Sequence, residues 1–255
     1  MNRMHGTKDF WLAALRADGP AFHAAVSAAA VDTAVPSCPG WTVPDLVRHL
    51  GSIYLWVGTH VTRGVTGAPA TRRAELSPSA PDWPAAADWW AAEHARLLTL
   101  LDSLDPDLPA WNWAPQAKKA AFWHRRMAHE TAVHRWDAQL AVGEAEPLEA
   151  KSAADGVSEV LDTCLPGGRR RGPTDRQGVV HLAATDLAQE WYVRLRGEGL
   201  ALLDTGTLFD SDDHHTRAEA RGTASDLLLA LYGRVTFDVL DVAGDPGLLR
   251  GLRTG

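Results

Sequence analysis

The segment HRRMAHETAVHRWDAQL, residues 124–140, interrupts what should be the buried stripe of a helix with a carboxylate, an imidazole and a second carboxylate. Glu130 and His134 are four apart and project to one side of a helix, and Asp137, three beyond His134, joins them. Trp123, Met127, Val133 and Ala141 share that stripe, so the polar groups head for the interior. Burying them unpaired costs several kcal/mol, and any fold of this chain must therefore supply partners or an ion. The segment is not a zincin motif, because His129 and His134 are five apart and point away from each other.

A second helix offers a partner. Thr42-Val43-Pro44-Asp45 places a capping hydroxyl, a proline within the first turn and an acid three residues on. His49 then follows the spacing of Leu46, Leu50, Ile53 and Val57, which puts it on the apolar face. Two histidines and one glutamate, His49, Glu130 and His134, form a three-ligand set typical of catalytic Zn²⁺ with one position open. Ni²⁺, Fe²⁺ or Mn²⁺ would accept the same donors. Asp137 is placed to accept an imidazole N–H behind such an ion. Spacing alone leaves a metal-free His–Glu hydrogen-bonded network equally open.

Around these two helices the first half reads as a four-helix bundle. Its first helix covers residues 9–31 with a break or kink at Gly19-Pro20, and the third and fourth cover about 85–104 and 117–142. Residues 64–84, rich in Gly, Pro, Ser and Ala, form a long connection, a lid or a plain crossover. Cofactor sites in bundles sit between facing helices. The second half changes character. A short helix at 151–164 leads into GGRRRGPTDRQG, read as a linker, and then GVVHLAAT, EWYVRLRG, LALLDTG and HTRAEARG have strand composition. A capped helix in TASDLLLALYGR, VTFDVLDV and a last short helix complete a small α+β domain. The fold class expected is α+β, with a metal-binding bundle at 1–165 and a small α+β domain at 178–255.

Composition narrows the function classes. The formal net charge of -7 argues against nucleic-acid binding, which needs a basic face. No window approaches the roughly 18 apolar residues of a membrane span, and MNRMHGTKDF lacks the core of a signal peptide, so a cytoplasmic protein is expected. Arg169-Arg170-Arg171 reads as a solvated loop. Cys38 and Cys164 show no zinc-ligand spacing, and Cys38, a nucleophile only if a base adjoined it, reads as a small packed residue. His5, His60, His94, His214 and His215 read as surface or loop residues, and His23, His124 and His181 as packed and hydrogen-bonded. Most of the 11 tryptophans fall where core packing is the default. There is no P-loop, dinucleotide fingerprint or GxSxG elbow.

VPSCPGWTVPDLVRHLG, residues 35–51, and RRMAHETAVHRWDAQLA, residues 125–141, resemble the N-terminal domain of the mycothiol-dependent maleylpyruvate isomerase family, one of the DinB-like metal-binding four-helix bundles. SDLLLALYGR and the following VTFDVLDVAGDPGLL resemble that family's C-terminal α+β domain. The resemblance implies that His49, Glu130 and His134 are the metal ligands, and it implies mycothiol as co-substrate. A metal that binds the thiol would lower its pKa and present a thiolate to an electrophilic small molecule. An isomerase adds the thiolate to a cis double bond and expels it after rotation, whereas an S-transferase keeps it attached. The generic S-transferase is placed slightly ahead of the isomerase here. Arg234 is the candidate cation for a substrate carboxylate, with a surface arginine as its alternative. A metal-stabilised binding or stress-related protein without turnover and a metal-dependent hydrolase are the rival classes. The α+β domain is expected to close over the site.

Overall fold

A computed structural model describes residues 6–75, 81–203 and 216–255, so His5, His214 and His215 lie outside the described residues. The chain divides into two compact units, Gly6–Glu146 and Pro147–Gly255.

The first unit is built on four long helices, α1 (Lys8–Ala28), α2 (Val43–His60), α3 (Ala85–Ser103) and α4 (Ala121–Ala141). Helix α1 packs on α4 and α3, and α2 packs on α3 and α4. Leu12, Leu15, Phe22 and Val26 of α1 meet Leu46, Leu50 and Val57 of α2, Trp90, Leu97 and Leu101 of α3, and Trp123 and Met127 of α4 in one buried core. The expected capping at the start of α2 is present. The Thr42 amide and hydroxyl both donate to Asp45 Oδ2, at 2.9 and 2.7 Å.

Two expectations for this unit are corrected. Helix α1 runs through Pro20, so of the break or kink expected at Gly19-Pro20 the break is absent. Gly19 leaves room for the His94 imidazole, which a Cβ would overlap, and His94 Nε2 donates to Leu15 O at 3.1 Å. His94 and His60 are therefore buried core residues, not surface ones. The His60 ring lies among the indoles of Trp56, Trp123 and Trp111, with Nδ1 donating to Trp56 O at 2.7 Å. Each lies on the apolar stripe of its helix, His60 in line with Ile53 and Val57 and His94 with Trp90, Leu97 and Leu101, so the burial of both was readable from spacing. Each is held there by stacked aromatics and one carbonyl. His124 is buried as expected.

The second unit starts with α5 (Ala150–Glu159), which continues as a π-helical turn, Val160–Cys164. Strands β1 (Gln177–Ala184), β2 (Glu190–Arg196), β3 (Gly199–Leu203), β4 (Arg217–Gly222) and β5 (Asp241–Gly244) form one sheet, with α6 (Ala224–Leu231) and α7 (Pro246–Arg250) between and after the last two. The sheet order is β3-β2-β1-β4-β5, parallel only between β1 and β4. Alternate residues Val180, Leu182, Trp191, Val193, Leu195, Ala218 and Ala220 are buried on one face. The fold class is thus α+β, as the segment pattern predicts.

The boundary differs from the expected one near residue 165. Helix α5 packs on α6, the Leu148 amide donates to Ser225 Oγ at 3.0 Å, and Trp191 Nε1 donates to Ser158 Oγ at 2.9 Å. Residues 147–165 thereby belong to the second unit. The Gly- and Arg-rich segment read as a linker is tied down as well. Arg170 Nε donates to Gly251 O at 2.6 Å and Nη1 to Gly197 O at 2.8 Å, while the Arg171 amide donates to Arg253 O at 2.8 Å. Arginine donors to backbone carbonyls make it part of the α+β unit despite its loop composition. No helix among the described residues is long and apolar enough to cross a membrane.

Candidate metal centre

Helices α2 and α4 bring together the three residues picked out by spacing. One ligand atom from each of His49, Glu130 and His134 lies within 4.8 Å of the others, the only such His/Cys/Asp/Glu group among the described residues. His49 Nε2 and His134 Nε2 each stand 3.5 Å from the same oxygen, Glu130 Oε1. The two rings meet edge to face, centroids 5.0 Å apart. His134 is 7% exposed in its side chain, Glu130 16% and His49 21%, so the cluster is sheltered with its opening on the His49 side.

These separations bear on two chemistries, a hydrogen-bonded network and an ion. At 3.5 Å an N–H···O contact is too long for a good hydrogen bond, which falls near 2.9 Å. Two ligands about 2.1 Å from one tetrahedral ion stand roughly 3.4 Å apart. The donor set, with two imidazole Nε2 atoms and one carboxylate oxygen, fits a divalent ion.

Neighbouring groups prepare these donors. Arg126, buried one turn before Glu130 on α4, donates from Nη2 to Glu130 Oε2 at 2.9 Å and leaves Oε1 to the two histidines. Burial works to raise the Glu130 carboxyl. The Arg126 charge and the contacts with His134 and His49 outweigh it and hold the group well below the usual carboxylate range. Asp137, fully buried, accepts from His134 Nδ1 at 2.8 Å, so the other nitrogen of that ring is the one turned toward Glu130. Burial works to lower the His134 value, but Asp137 and Glu130 prevail and push it above that of an ordinary imidazole.

Sequence reasoning did not single out Arg126, although its i,i+4 spacing to Glu130 was readable. Ser37 was passed over and Cys38 read only as a small packed residue, because their contacts with Asp137 cross about a hundred residues and carry no local signal. Arg234 belongs to the second unit, after α6, where Nη1 donates to Tyr232 O at 3.1 Å. His129 is buried but outside the cluster, as its five-residue offset requires.

Fold and site together define a helical bundle with a two-histidine, one-glutamate centre, joined to a small α+β unit. Residues 12–139 match the family model of the mycothiol maleylpyruvate isomerase N-terminal domain, and residues 151–251 match that of the C-terminal domain of the same family. The chain belongs to the mycothiol-dependent maleylpyruvate isomerase family, a family of enzymes. Among solved structures it is similar to a mycothiol-dependent maleylpyruvate isomerase, with 12% identity, a TM-score of 0.61 and 93% of each chain covered. A histidine-to-alanine mutant of that name matches with 11% identity, the same TM-score and the same coverage. At such identity the likeness is one of fold. No curated protein matches the sequence.

Proposed function

We propose that this chain is a metal-dependent, mycothiol-using enzyme in which His49, Glu130 and His134 hold one divalent ion, Zn²⁺ by its donor chemistry. The observation that carries the reading is the pair of 3.5 Å separations from two imidazole nitrogens to one carboxylate oxygen. Held there with a position open, the ion would supply the Lewis acidity that keeps a bound thiol as thiolate at neutral pH.

The chain's own residues do the rest. Glu130, kept ionised by Arg126, contributes negative charge whatever the pH of the medium near neutrality. Asp137 holds the proton of His134 on Nδ1 and so frees Nε2 as a donor. Glu130, Asp137 and Arg126 sum to one formal negative charge. A divalent ion and one thiolate together bring the centre to neutrality, which favours the thiolate over the neutral thiol in a sheltered site.

Family membership supports isomerisation, and nothing in the comparisons supports the S-transferase placed ahead of it from the sequence. The proposed reaction is therefore reversible addition of the mycothiol sulfur to a cis carbon–carbon double bond conjugated to a carbonyl. The C–S bond forms as the π pair moves to the carbonyl oxygen. Rotation follows, and the C–S bond breaks to return the thiolate and the trans product. Arg234 is proposed to pair with a substrate carboxylate, which Arg234→Gln would test through a raised KM.

The experiment is direct. Full-length protein loaded with zinc is given mycothiol and maleylpyruvate, and the cis and trans products are followed by proton NMR. Turnover that needs both zinc and mycothiol supports the reading. A stable thioether product would indicate S-transfer, and turnover without thiol would indicate hydrolysis or another chemistry.

A further inference from the structure

The turn that precedes α2 contains none of the three donors, yet it touches the surroundings of both imidazoles. Ser37 Oγ donates to Asp137 Oδ1 at 2.6 Å, and Cys38 Sγ lies 3.6 Å from Oδ2, the oxygen that also accepts from His134 Nδ1. On the far side of the same turn, the Trp41 indole packs on the His49 ring with centroids 4.8 Å apart.

The turn itself is well defined. Cys38-Pro39-Gly40-Trp41 is closed by the Trp41 amide donating to Cys38 O at 3.0 Å, and Gly40 sits at φ 84°. Proline followed by a glycine of positive φ is the pattern of a type II turn. Below it, Val35 N donates to Trp41 O and Val43 N to Thr33 O, both at 2.9 Å, so the turn is anchored on α2's entry.

We propose that the Ser37–Trp41 turn is a positioning device that sets the rotation of both metal-binding imidazoles, His134 through Asp137 and His49 through Trp41. This rests on the metal reading above. The physical case is that a ring ligand must present its lone pair along one direction, and a ring is fixed by what holds its other nitrogen and its face. Ser37 gives Asp137 a short charge-assisted hydrogen bond, which keeps that carboxylate aimed at Nδ1. Trp41 bears on the His49 ring. One turn of backbone therefore couples two donors that belong to different helices. Ser37, Cys38 and Trp41 act here as positioning residues.

Zinc titrations against a competing chelator test this, together with ¹⁵N NMR of the imidazoles in metal-free protein at alkaline pH. Ser37→Ala should weaken zinc binding about 3- to 10-fold, and Ser37→Thr should restore it. Metal-free wild type should carry the His134 proton on Nδ1, and Gly40→Ala should shift the ring signals of both His49 and His134. Wild-type affinity in Ser37→Ala, or equal loss in Ser37→Thr, overturns the proposal. So does a His134 ring protonated on Nε2 in wild type, a measurement that needs no variant to fold. Absence of zinc binding in wild type would instead remove the metal reading, while the metal-free NMR still decides what the turn does.

Discussion

Asp137 and His134 sit three residues apart on one helix with Oδ2 2.8 Å from Nδ1, the carboxylate fully buried. The contact fixes which nitrogen of the ring faces Glu130. Replacing Asp137 by Asn keeps the shape and removes the charge. Asp137→Asn should weaken zinc affinity roughly 10- to 100-fold while the bundle stays folded. Titration alongside circular dichroism checks it, and an unchanged affinity would show that Asp137 has no part in holding the ring.

Arg126 makes a different prediction, because it acts on charge rather than on direction. Arg126→Met leaves Glu130 without its guanidinium in a sheltered site, and breaking such a pair costs about 3–5 kcal/mol. Metal-free protein should lose stability of that order in urea unfolding. Zinc should return part of it, since the ion then compensates Glu130. Equal losses with and without zinc would contradict the arrangement.

Acidity should weaken both metal binding and the metal-free fold, although His134 alone pulls the fold the other way. His134 is raised above the ordinary imidazole value, so a proton must leave before metal binds, and apparent zinc affinity should climb about tenfold per pH unit until that raised value is passed. The same raised value stabilises the metal-free fold below about pH 6.5 and is lost as pH rises through it. His60, His94 and His124 go the other way, since burial holds each below its ordinary value despite carbonyl partners. Their stabilisation is present above about pH 6.5 and lost as pH falls, at up to about 1.4 kcal/mol per pH unit each. Three rings outweigh one, and metal-free protein should unfold more readily at pH 5 than at pH 7.5. Urea midpoints at the two values measure this.

The three donors, Asp137, Arg126 and Ser37 all fall within residues 6–146. A chain ending at Glu146 should keep stoichiometric zinc binding, whereas one ending at Leu165 would carry α5 without α6, its packing partner, and should aggregate. Metal analysis and size-exclusion chromatography of the two truncations separate the cases. Zinc binding lost in the shorter chain would place part of the site outside this unit.

The site was readable where chemistry follows a helical period. Glu130, His134 and Asp137 share a stripe, and His49 shares one with Leu46 and Leu50, so side-chain direction alone converges them. Strands β1, β2, β3 and β4 were likewise visible as alternating segments between turns. What stayed hidden was long-range. Ser37 reaches Asp137 across a hundred residues, and Arg170 binds a carbonyl eighty-one residues away, so a segment of loop composition was taken for a linker. His94 shares the stripe of Trp90, Leu97 and Leu101, so its burial was legible, but the space it fills depends on the absence of a side chain at Gly19 on another helix. Composition reports what a segment tolerates, and contacts of this kind depend on what another segment leaves open.

The central claim is that His49, Glu130 and His134 hold an ion that in turn binds the mycothiol sulfur. Cobalt(II) can stand in for zinc and reports its ligands by absorption. Full-length cobalt-loaded protein should gain a thiolate-to-cobalt charge-transfer band on addition of mycothiol, saturating at one equivalent. His49→Ala, Glu130→Ala and His134→Ala should each abolish stoichiometric cobalt binding and the band with it. A band that survives in all three variants, or a wild-type spectrum indifferent to mycothiol, would contradict the account.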